Sequence, residues 1–133
     1  VVAFTPERRL VVVRQYRFGI AAVTTEIPGG LVDPGEAHRD AAERELREET
    51  GHTTTNWTYL GASEPNPAVF NNLIHHWLAE GVLPTHPLEQ DDGEDIVVET
   101  MTLDEVRGAV LSGIIRHSLV LAALAKVMDL SKG

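Results

Sequence analysis

A chain of 133 residues with 11 Lys and Arg against 20 Asp and Glu, a formal net charge of −9, is the size of one domain. It is too acidic to grip a nucleic-acid backbone, which needs clustered basic side chains. Its 43% apolar and 23% charged residues suit a globular fold. The lack of cysteine excludes a disulfide framework, a thiol nucleophile, a Cys-based zinc site and an iron–sulfur cluster. No apolar run reaches membrane-spanning length, and no basic-then-apolar opening marks a secretory signal, so the expected location is the cytoplasm with no membrane partner. The sequence opens on Val1 rather than Met, which leaves open what precedes it.

In chain order, residues 10–16 (LVVVRQY) are β-branched and read as a buried strand, after a turn at Pro6 to Arg9. Residues 24–27 form a short extended piece that ends at Pro28-Gly29-Gly30, a loop signal. After a turn at Asp33-Pro34-Gly35, residues 36–50 are strong helix formers without internal Gly or Pro, and Gly51 stands where a C′ residue belongs. Residues 57–62, 70–78 and 96–101 read as strands, with a long irregular stretch over 81–93. Thr102 with Glu105 makes a capping box for a helix over 103–111. Ser118 is the expected cap of a last helix, whose apolar positions recur at helical spacing from Val120 to Met128. No linker or repeat divides residues 1–133, which read as one domain. Helices separated by several strands predict a mixed sheet covered on its faces by helices, an α/β (α+β) arrangement rather than a doubly wound sheet.

Glu45, Glu48 and Glu49 stand at i, i+3 and i+4, on one face of the predicted helix. Like charges so placed repel each other by a few tenths of a kcal/mol per pair when exposed. Burial raises the penalty, and a divalent cation removes it. Mg²⁺ takes oxygen ligands from one or two carboxylates plus substrate phosphates. Arg44, four residues before Glu48, can pair with it. A solvated acidic face is the plain alternative.

The surrounding residues favour the metal. Gly30, Glu36 and the run Arg44-Glu45-Leu46-Arg47-Glu48-Glu49-Thr50-Gly51 reproduce the spacing of the Nudix hydrolase signature, residues 30–52. His52 departs from it, standing where an aliphatic residue is usual. The resemblance implies a Nudix-type α/β/α sandwich around a mixed sheet. It also implies Mg²⁺-dependent hydrolysis, with Mn²⁺ as a substitute, of a nucleoside diphosphate linked to a further group. By the same resemblance Glu45, Glu48, Glu49 and the Gly29 carbonyl are metal ligands, Arg44 orients the glutamates, and Glu36 is an outer group.

Val13-Arg14-Gln15-Tyr16-Arg17 followed by Glu26-Ile27-Pro28-Gly29-Gly30, with Pro67 sixteen residues past Gly51, resembles the ADP-ribose pyrophosphatase branch. That likeness makes Arg14, Arg17 and Glu26 substrate-binding candidates. It leaves the general base open between Glu45 on the helix and Glu94 in the acidic loop, with Asp95 and Glu89 behind Glu94. His75 and His76 read as hydrogen-bonded sheet residues. The implied partner is a small nucleoside diphosphate derivative, with a homodimer a further expectation. A pyrophosphatase of nucleoside triphosphates and a non-catalytic nucleotide sensor are the competing readings; the intact glutamates weigh against the sensor.

Overall fold

The apolar run after Arg9 becomes the middle of a six-stranded sheet. The structure is a computed structural model that describes residues 1–89 and 95–131. Strand β2 (Leu10–Arg17) buries Leu10, Val11, Val12 and Val13, a continuous apolar run of the kind found where both sheet faces are covered. One edge of β2 pairs antiparallel with β8 (Ile96–Met101). Its other edge takes β1 (Val2–Phe4) at Leu10 and β3 (Ala22–Glu26) from Val13 onward. Beyond β1 lies β6 (Ile74–Glu80), parallel to it, and then β5 (Asn56–Ser63), antiparallel. The sheet is therefore mixed, as expected.

Alternation along the strands divides the core in two. Val2, Phe4, Leu10 and Val12 pack with Val106, Ala109, Val120 and Leu124 of α2 (Leu103–Ser112) and α3 (Ser118–Leu124). Ala3, Val11, Ala79 and Val82 pack with Leu46 of α1 (His38–Thr50). Helices on both faces complete the sandwich. Leu46 is fully buried, and truncation to Ala would cost about 2–5 kcal/mol.

Several boundaries differ from expectation. Helix α1 begins at His38 rather than at residue 36, because Glu36 is drawn into a turn with Asp33 and turns its carboxylate to Arg44. Gly51 closes it in the left-handed region, φ 71°, with its amide on the Arg47 carbonyl. A Cβ there would run into the His86 carbonyl. Strand β6 starts at Ile74, not residue 70, because the Val69 and Phe70 amides both turn back to Asn66. The irregular stretch holds β7 (Leu83–Pro84), paired with β4 (His52–Thr53). Thr102 and Glu105 form the expected capping box. Helix α3 is capped by His117, one residue before Ser118. It ends at Leu124 and gives way to tighter turns that return Val127 and Met128 to the core. Among the described residues no helix is long and apolar enough to cross a membrane.

Candidate active site

A cleft of about 490 Å³ lies between α1, the loop after β3 and the start of α3. Gly29, Gly30, Glu45 and Glu49 form one part of its lining, Gln15, Arg17, Glu26 and His117 another, and His38, His75 and Asn72 a third.

The acidic part follows from helix periodicity. Ala41, Ala42, Leu46 and Glu49 are buried on the inward face of α1. Glu45 lies against Gly30, where an added Cβ would land in its carboxylate, so a larger residue there would push the Glu45 carboxylate out of its present place. The Gly29 amide donates to Glu49 at 3.4 Å. Arg44 binds several acceptors at once. Its guanidinium donates to Glu36 at 2.9 and 3.0 Å, to Glu45 at 2.9 Å, to Glu48 at 3.3 Å and to the Leu31 carbonyl at 3.0 Å. The bonds to Glu36, then those to Glu45, hold the guanidinium charge more firmly than usual despite some desolvation. The Glu36 carboxyl is correspondingly held below its ordinary pKa by Arg44. The planar fork serves carboxylates that a lysine could not hold together.

All the donors on offer in this part are oxygens, the kind hard cations take. Among the described residues no three acidic or histidine side chains form a metal cage by themselves. A hard divalent cation held here would complete its shell with water and substrate phosphate. The residues present therefore fit the cation.

At the second part, Arg17 grips Glu26 through two bonds of 2.8 Å, and Thr24 donates to the same carboxylate. Burial opposes ionisation of Glu26, but these bonds outweigh it and its pKa falls below the usual carboxylate value. Strand alternation puts Val13, Gln15 and Arg17 on the cleft side and Arg14 on the other face. There Arg14 lies 3.7 Å from Glu99, in a separate hollow with Tyr16, Val23, Val97 and Asp95. Thus Arg17 and Glu26 come together, while Arg14 and Asp95 do not join them. The Glu89 amide bonds to the Glu48 carbonyl at 2.9 Å. Glu94 lies outside the described residues.

The third part is aromatic. The Trp77 indole donates to His38 Nδ1 at 2.9 Å, and the His38 ring stacks on His75 at 3.8 Å. Tyr59 is hydrogen-bonded to His75 at 2.8 Å. Burial, then the neighbouring His38, lowers the His75 pKa. His76 faces the other way, onto Ser63 at 2.7 Å, its pKa lowered by burial first. Both histidines are the hydrogen-bonded sheet residues expected. His52 is buried with its Nδ1 on the Thr50 carbonyl at 2.9 Å, so its departure from the signature is absorbed in packing. Sequence reasoning missed His38 and His117 as cleft residues. Their signals, a helix start and a residue beside a capping serine, carry no hint of what lies across the fold.

A fold with helices on both faces of a mixed sheet, with this loop and carboxylate helix at one cleft, defines a class, and the chain belongs to the Nudix family: the NUDIX domain model matches residues 1–123. Among curated proteins it is 34% identical over 108 residues to the methanol dehydrogenase activator of Bacillus methanolicus. It is 33% identical over 106 residues to the ADP-ribose pyrophosphatase of Bacillus subtilis. Each match covers 79% of this chain and 57% of the relative, so the chain spans little more than half the length of either. A crystal structure of an ADP compounds hydrolase superposes with a TM-score of 0.83 at 27% identity, covering 95% of this chain and 67% of that one.

Proposed function

We propose that this chain is a Mg²⁺-dependent pyrophosphohydrolase that cleaves the diphosphate of ADP-ribose or a related nucleotide sugar. The observation that carries the reading is the convergence of Glu45 and Glu49 with the Gly29-Gly30 loop at one part of a cleft whose other part holds Arg17 and Glu26. The kinship to an ADP-ribose pyrophosphatase and to an ADP compounds hydrolase supports the substrate class. Hydrolases of this family generally need a divalent cation.

Glu45, Glu48, Glu49 and the Gly29 carbonyl would hold the cation. When bound, it neutralises diphosphate charge and makes the phosphorus easier for water to attack. Arg44 keeps Glu45 and Glu48 oriented through the loss and return of their partners. Arg17 offers donors to the nucleotide, its own charge fixed by Glu26. A water oxygen forms the new bond to phosphorus, the anhydride bond to the leaving phosphate breaks, and the water's proton passes to a carboxylate. That carboxylate is Glu45 on the helix or Glu94 in the acidic loop, and the variants below decide between them.

The test is a chromatographic panel of ADP-ribose, other sugar nucleotides, dinucleoside polyphosphates and nucleoside triphosphates, each with Mg²⁺, Mn²⁺ or EDTA. AMP and ribose 5-phosphate from ADP-ribose, abolished by EDTA, is the expected result. Turnover of triphosphates alone would keep the family and discard the substrate. Glu45→Gln and Glu94→Gln run in parallel identify the base, since only its loss flattens the acid limb of the rate profile.

A further inference from the structure

The two ring nitrogens of His117 have separate duties. Nδ1 accepts the Leu119 amide at 3.1 Å and so caps α3. A nitrogen that accepts carries no proton, so the neutral ring holds its proton on Nε2. Nε2 stands 3.9 Å from Glu26 Oε1, beyond hydrogen-bond length. Both residues line the cleft.

The carboxylate opposite is equally fixed. Arg17 holds one Glu26 oxygen through Nε and the other through its terminal nitrogen, each at 2.8 Å. A carboxylate oxygen has two lone pairs, so Oε1 can accept a second bond. A fixed donor and a fixed anionic acceptor therefore face one another at the cleft wall. A phosphate brings only acceptors and would meet the charge of Glu26. A hydroxyl brings a donor and an acceptor on one atom, and its oxygen can lie about 2.8 Å from each partner.

We propose that His117 is a specificity-determining residue whose Nε2–H, together with the Glu26 carboxylate, binds a single sugar hydroxyl of the nucleotide. This rests on the reading of the cleft as a nucleotide site. It assigns to the cap residue of α3 a second role that capping alone does not require.

Calorimetric binding in EDTA, where turnover is stopped, tests it. The probes are AMP, its 2′- and 3′-deoxy forms, and ribose 5-phosphate; they separate the nucleoside sugar from the distal one. His117→Asn keeps a side chain that caps as well as any but removes the Nε2 donor. The expected result is an unchanged melting temperature with about tenfold weaker binding of the probe that carries the recognised hydroxyl. The matching deoxy probe should bind wild type and variant alike, the signature of a pairwise coupling. His117→Ala, which loses cap and donor, should show the same affinity loss together with a lower melting temperature. His117→Asn affinities equal to wild type, or an equal loss for hydroxyl and deoxy probes, would overturn the proposal while leaving the cleft a nucleotide site. Failure of wild type to bind any of the probes or ADP-ribose would overturn the nucleotide reading and this proposal together.

Discussion

The acidic part of the cleft comes from one helix and the loop before it, within residues 29–49, whereas the opposite part joins Arg17, Glu26 and His117 from β2, β3 and the cap of α3. In the first, side chains meet because 3.6 residues make a turn. In the second, they meet only after the sheet has formed and α3 has packed on it. The first carries like charges gathered in one place, held by Arg44. The second carries opposite charges already matched. Disturbing the first should therefore stop chemistry and spare the fold. Breaking the matched Arg17–Glu26 pair of the second should weaken binding and stability together.

The largest expected effect is at the acidic part. Glu48→Gln with Glu49→Gln should reduce turnover by about a thousandfold or more, since the cation's charge stabilisation is lost. Its melting temperature should stay within about 3 °C of wild type, because like-charge repulsion on the helix face is relieved as well. Arg44→Lys comes next. A lysine keeps the charge but not the fork that binds Glu36, Glu45 and Glu48 together, and kcat should fall about a hundredfold through misplaced carboxylates. Circular dichroism should show the helix intact, and a variant with unchanged kcat would remove Arg44 from the account.

At the opposite part, Glu26→Gln should destabilise the protein by about 1–3 kcal/mol by removing the negative charge that Arg17 grips through two bonds, and should raise KM more than it lowers kcat. The pH dependence has a definite sign. The folded-state pKa of Glu26 lies below its unfolded value, so its contribution is present above the unfolded pKa and lost as pH falls through the folded one. Urea titrations across the acid range should show that loss in wild type and not in Glu26→Gln.

The smallest effect lies outside both parts. Burial lowers the His76 pKa, so as pH falls below about 6.5, its ordinary value, the unfolded chain binds more protons and stability drops. His76→Gln, which preserves a partner for Ser63, should flatten the slope just below that pH. An unchanged slope would assign the titration to other groups.

The same contrast explains what could be read without the structure. The glutamates, the Gly51 stop and the Thr102 capping box are patterns over a few residues, and each stands where its spacing put it. Strand β1 escaped because three residues before a turn have no period; they become a strand through their pairing with β2 and β6. His117 escaped because Ser118 beside it is the usual capping residue, and nothing local distinguishes an imidazole that also faces Glu26 across the fold. Arg14 was grouped with Arg17 by its place in the run, yet an odd spacing on a strand sends them to opposite faces.

The most direct test sets binding against cleavage on one molecule. ADP-ribose is offered with Mg²⁺ to wild type and to the protein carrying Glu48→Gln and Glu49→Gln, and both the bound nucleotide and the products are measured. Two separately built parts of one cleft predict AMP and ribose 5-phosphate from wild type, and a variant that still binds ADP-ribose through the Arg17 side but cleaves none. Cleavage by the variant at the wild-type rate, or no cleavage of ADP-ribose by wild type, would contradict the account.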